Sequence, residues 1–82
     1  MAMAAAVQNE IWLQANNYKV VSLNSKLSPY IPELRMALHD GVPAYPDLGR
    51  EGFYDLELTN GWTYIHVHDD AHTVYLVAFS RN

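Results

Sequence analysis

The stretch FYDLELTNGWTYIHVHDDAHTVYLVAF, residues 53–79, limits what this chain can become more than any other part of it. Side-chain character alternates on both sides of Asn60-Gly61. An Asn-Gly pair between two alternating runs is the strongest short-range signal for a β-hairpin closed by a type I′ turn. A two-residue turn fixes the register of the strands it joins. With Asn60-Gly61 as the turn, Thr59 faces Trp62, Glu57 faces Tyr64, Asp55 faces His66 and Phe53 faces His68. A second turn centred on Asp70-Ala71 pairs His68 with Thr73, His66 with Tyr75, Tyr64 with Val77 and Trp62 with Phe79. Both hairpins sort the residues onto the same two faces.

The expected meander is therefore two-sided. One face is aliphatic: Leu56, Leu58, Ile65, Val67, Val74, Leu76 and Ala78, with Tyr54. The other carries Phe53, Trp62, Tyr64, Tyr75, Val77 and Phe79, interleaved with Asp55, Glu57, His66 and His68. Contiguous apolar surface of this kind marks an interface or a ligand groove.

Upstream, Ser28-Pro29 reads as a helix start, with serine as N-cap and proline at the first helical position. Ile31, Leu34 and Leu38 supply an apolar stripe over 29–40, and Gly41 with Pro43 ends it. That stripe should pack on the aliphatic face. Residues 42–52, VPAYPDLGREG, read as a loop that returns the chain to the sheet, long enough to carry function as a lid or binding loop. Before the helix, Val7, Ile11 and Ala15 share one helical face, so a helix over 4–15 stopped by Asn16-Asn17 is the first choice. The rival is a hairpin of Ile11–Ala15 and Tyr18–Leu23 turning at Asn16-Asn17. The first few residues are expected to fray. The fold class that results is α+β in one small domain spanning 1–82. A helix packs on a three-stranded antiparallel meander, with an N-terminal helix or hairpin.

Composition narrows the function. A chain of 82 residues without cysteine has neither disulfides nor thiolates, which fits a cytoplasmic protein. A thin core without staples favours association with a second copy. Net charge is −4, and the five basic residues, Lys19, Lys26, Arg35, Arg50 and Arg81, are scattered. Nucleic-acid binding leaves a basic footprint and is disfavoured. No apolar run can cross a bilayer, and MAMAAAVQNE lacks the basic and apolar segments of a secretory signal.

HVHDDAH, residues 66–72, holds most of the chemistry-bearing side chains. His66 and His68 alternate onto one face, a workable zinc geometry if Asp55 adds a third ligand, but no fourth is evident. Ala71 breaks the likeness of this run to the H-x-H-x-D-H motif of metallo-β-lactamase-like hydrolases. In the expected register Asp55, His66 and Tyr75 form one row, the arrangement of a general base oriented by a carboxylate. The same row is also an ordinary cross-strand pair, and that reading is preferred. No nucleophile motif, P-loop or dinucleotide fingerprint is present, and no cofactor is implied.

A helix followed by GFYDLEL, GWTYIHV and HTVYLVAFSRN resembles the C-terminal half of RelE/ParE-type toxins, over residues 28–82. The resemblance implies a small antiparallel sheet over helices. The family's messenger-RNA-cleaving members are basic and carry arginine or lysine on the sheet. His66 and His68 stand there instead, and only Arg81 follows the last strand, so a catalytically silent relative is what the resemblance implies. The leading expectation is a non-enzymatic interaction module, homodimeric through Phe53, Glu57, Trp62, Tyr64, His68, Tyr75 and Phe79. The alternative is a ligand or enzyme site around His66, His68 and Asp55.

Overall fold

Strands do form across residues 53–81, but they are the middle of a larger sheet. The computed structural model describes residues 10–81. Its elements are β1 (Ile11–Leu13), β2 (Lys19–Ser22), a 3-10 turn (Ser25–Tyr30), α1 (Ile31–Asp40), β3 (Val42–Pro46), β4 (Phe53–Leu58), β5 (Gly61–His68), a short 3-10 turn (Asp69–Ala71) and β6 (Thr73–Arg81). The sheet has six strands in the order β1-β3-β4-β5-β6-β2. All neighbours are antiparallel except β2 and β6, which are parallel.

This overturns the expected helix on a three-stranded meander, although the class is still α+β in the broad sense. The N-terminal segment is neither a helix nor a hairpin over its described residues. Ile11–Leu13 pairs with β3 at one edge, and Lys19–Ser22 pairs with β6 at the other. Its Val, Ile, Trp and Tyr side chains favour strands, and long-range partners satisfy them better than a local turn. Asn17 does take a positive φ of 68°, but in a crossover. Residues 4–9 of the expected helix and the expected frayed start lie outside the described residues.

VPAYP, read as loop, is strand β3. Proline gives no donor to a ladder and belongs near sheet edges. Here only the three-residue β1 lies beyond it. The helix begins later than its serine–proline signal. Pro29 falls in the 3-10 turn, capped by the Asn24 side chain accepting from the Lys26 amide at 2.8 Å. Pro32 takes the first turn of α1, where its missing N–H costs nothing. Gly41 closes α1 at φ 93° with its amide on the Ala37 carbonyl. A Cβ at Gly41 would also lie 2.4 Å from the Trp12 ring.

The core lies between α1 and one sheet face. Leu34 and Leu38 meet Ala44, Leu56, Ile65, Val74 and Leu76, all essentially inaccessible, with Val20, Val42 and Leu58 at the margin. The sheet must curl around α1. Five inter-strand gaps of about 4.8 Å span about 24 Å, whereas the chain from Leu13 to Lys19 reaches at most about 21 Å. That link crosses the C-terminal turn of α1, where the Ala15 amide donates to the Leu38 carbonyl and Gln14 Nε2 to the His39 carbonyl, both at 2.9 Å.

Two details of register differ from expectation. Leu58 pairs with Gly61, so Thr59-Asn60 is the turn and every β4–β5 partner moves by two. Neither turn residue has a positive φ, so no type I′ turn forms. Asn60 is held instead by α1, its side-chain amide donating to Glu33 Oε1 at 3.0 Å. Gly61 serves a different need: a Cβ there would lie 2.2 Å from the Ser80 carbonyl oxygen. Because the shift is an even number, faces survive and rows change. In β6, Ile65 pairs with Leu76 but Tyr64 with Ala78, so Val77 is a bulge. Beyond a bulge the alternation reverses. Phe79 therefore joins the helix side, stacked on Tyr30 at 3.9 Å between ring centroids.

Candidate functional site

The face away from α1 gathers most of the residues singled out in the sequence. Pro43 pairs with Trp12, and Tyr45, two residues on, points the same way. β4 adds Phe53, Asp55 and Glu57, β5 adds Trp62, Tyr64, His66 and His68, and β6 adds Tyr75. Phe79 is the exception, removed by the bulge at Val77. The rings interlock: Tyr45 tilts onto Trp62 at 5.7 Å, and Phe53 stacks on Tyr64 at 5.5 Å and on His66 at 4.2 Å.

The register shift dissolves the expected Asp55–His66–Tyr75 row. Phe53, not Asp55, is the cross-strand partner of His66, and Asp55 stands opposite Tyr64. His66 is flanked by aromatic rings, Phe53 nearly parallel at 3° and Tyr75 at 6.0 Å. Among the described residues no carboxylate is hydrogen-bonded to it. Among the described residues, no three His, Asp or Glu side chains converge as a metal ion would require. The His66, His68 and Asp55 set is not brought together.

The rest of HVHDDAH does structural work at the sheet's parallel edge. Asp69 Oδ1 accepts a hydrogen bond from the Tyr18 hydroxyl at 2.7 Å. His72 takes the left-handed conformation at φ 48°, its ring 5.2 Å from that of Tyr18. The His72 carbonyl accepts from the Lys19 amide at 2.8 Å. Asp69 and His72 thus hold the start of β2 against β6, although they are exposed, as are His68 and Asp70.

Of the 42–52 segment read as a loop, residues 47–52 remain one between β3 and β4 and fold onto the aromatic face; their individual contacts are what the sequence reading missed. The loop is fixed at both ends, by the Asp47 amide on the Phe53 carbonyl and the Val67 amide on the Gly52 carbonyl, each at 2.8 Å. Asp47 Oδ1 accepts from the Gly49 amide at 2.9 Å, and Oδ2 accepts from the Tyr64 hydroxyl. Arg50 lays its guanidinium 3.9 Å from the centre of the Phe53 ring, a cation–π contact. Gly52 brings the backbone against His66, where an added Cβ would lie 3.4 Å from the ring. The Asp47-x-Gly49 spacing, typical of a side chain closing its own turn, was the available signal.

These contacts set the local electrostatics. The Tyr64 hydroxyl, helped by the Gly49 amide, holds the Asp47 carboxyl below its usual range. The same bond pushes the Tyr64 hydroxyl up. Burial, then the Asp47 charge, raises Asp55.

The aromatic face is thus partly covered by its own chain. Open surface persists on both flanks. Toward β1, Trp12 is 64 % and Trp62 39 % exposed. Toward β2 lies a shallow groove lined by Leu23, Arg50, Phe53, His66, Tyr75 and Val77. Among the described residues no helix is long and apolar enough to cross a membrane. No family model, curated protein or solved structure matches the chain, so the resemblance to RelE/ParE-type toxins rests on the pattern of residue types alone.

Proposed function

We propose that this chain is a small cytoplasmic interaction module without catalytic activity, and that it forms a homodimer through the Trp12, Tyr45 and Trp62 flank of its aromatic sheet face. The observation that carries this reading is Trp62. It sits on a central strand, held by Tyr45 at 5.7 Å, yet leaves 39 % of its surface to solvent. Tryptophan and tyrosine on a rigid support are the residues that dominate binding energy at protein interfaces. Trp12 extends the patch to the sheet edge. A thin core gains from being covered there. Acid–base catalysis has little support, since His66 lacks a carboxylate partner.

Trp62→Ala is expected to lower the mass measured by light scattering from dimer to monomer while the circular dichroism spectrum is kept. A wild-type chain that is monomeric at high concentration overturns the reading.

A further inference from the structure

The groove toward β2 differs in kind from the tryptophan flank. It is small, about 260 Å³. A dry cavity of about 150 Å³ already accepts a benzene ring, whereas drug-sized ligands need about 300–1,000 Å³. One ring with a small head group is the size that fits. The floor is one row of three adjacent strands, Phe53, His66 and Tyr75. Leu23 and Val77 make the apolar wall, and Arg50 stands at the mouth over Phe53.

Its polar groups keep spare capacity, although the Arg50 guanidinium already lies over Phe53 and feels the Tyr64 hydroxyl and the Asp47 charge. Among the described residues Arg50 forms no ion pair, and neither the His66 ring nor the Tyr75 hydroxyl makes a hydrogen bond within the protein. The nearest carboxylate on the loop, Asp47, is already bonded to Tyr64 and the Gly49 amide. A guanidinium matches a carboxylate in geometry as well as charge. Because Phe53, His66 and Tyr75 stack along the row, the floor presents ring edges, which favour the face of a flat ring over an aliphatic one by edge-to-face contact.

We propose that this groove binds a small single-ring aromatic carboxylate, its ring on Phe53, His66 and Tyr75 and its carboxylate on the Arg50 guanidinium. The site opens on the β2 side, away from Trp12, and does not depend on the dimer.

Titration of the full-length chain with benzoate, followed by amide NMR, tests this. Saturable shifts are expected at Phe53, His66, Tyr75 and Val77. Benzyl alcohol, which lacks the charge, and acetate, which lacks the ring, should each bind at least about tenfold more weakly, a loss of about 1.4 kcal/mol. Arg50→Gln should weaken benzoate by a similar factor. Leu23→Glu, at a position 62 % exposed, should also weaken it by placing a like charge at the rim. The dispersion of the same spectra shows whether each variant is folded. Shifts scattered away from the groove overturn the proposal, as does equal response to benzyl alcohol or undiminished binding in both variants.

Discussion

Thr63 shows how much one atom decides. It lies at the centre of β5 on the helix side, wholly buried, and its hydroxyl has no hydrogen-bond partner. Valine has nearly the same shape without the unmet polar group. Thr63→Val is expected to raise stability by about 1 kcal/mol, read as a higher urea midpoint with an unchanged slope. Asp55 offers a second test, with a pH signature. Its folded pKa is raised above 3.8 by burial and by the Asp47 charge. Such a group favours folding only while protonated, and that contribution is lost as pH rises through the folded value. Asp55→Asn should therefore be more stable than wild type at neutral pH, with the gain vanishing below the unfolded value near 3.8. Asp47 carries the opposite sign. Its folded pKa is lowered from 3.8, chiefly by the Tyr64 hydroxyl. Its contribution is present above the unfolded value and lost as pH falls through the folded one. Tyr64→Phe should flatten that acid limb, measured by chemical unfolding across pH.

Among the elements, strands β4, β5 and β6 were legible, the six-stranded sheet around them was not, and the β4–β5 rows were not. Alternation placed β4, β5 and β6, and the pairing of residues 65–68 with 73–76 follows the sequence reading. Asn60-Gly61 misled because glycine has two uses. It permits a positive φ in a turn, and it permits two backbones to touch. Gly61 is used for the second, against Ser80. The resulting shift by two replaced Asp55 with Phe53 beside His66, so the candidate dyad failed while the aromatic face held. The Val77 bulge had no signal in the alternation, since an inserted residue of the same apolar type leaves the pattern intact. Its placement can be checked. With Phe79 stacked on Tyr30, Phe79→Ala should cost about 2 kcal/mol, less than the roughly 3–5 of a fully buried phenylalanine, and should leave oligomer mass unchanged. A drop in mass with stability preserved would put Phe79 back on the aromatic face.

For the whole molecule, the unreadable part was the pairing over long distance. Short apolar runs such as IWL and KVVS say that a strand is favoured, not which edge will accept it. The N-terminal strands found partners at opposite sides of the sheet, and the curl that lets a short link join them depends on α1 filling the concave side. Aliphatic residues at both ends of that arrangement were visible in the sequence. Their closure was not.

The crossover from β1 to β2 also fixes an order of events. On a ribosome these two strands emerge before their partners: β1 waits for residues 42–44 and β2 for residues 73–76. β1 can pair as soon as β3 exists, whereas β2 stays without its partner until residues 73–76 are made, so the native sheet cannot close before then. The two strands also shield both open borders of the sheet at once. A chain lacking residues 1–22 would bare β3 and β6 together, and bare strand borders are templates for indefinite addition of further chains.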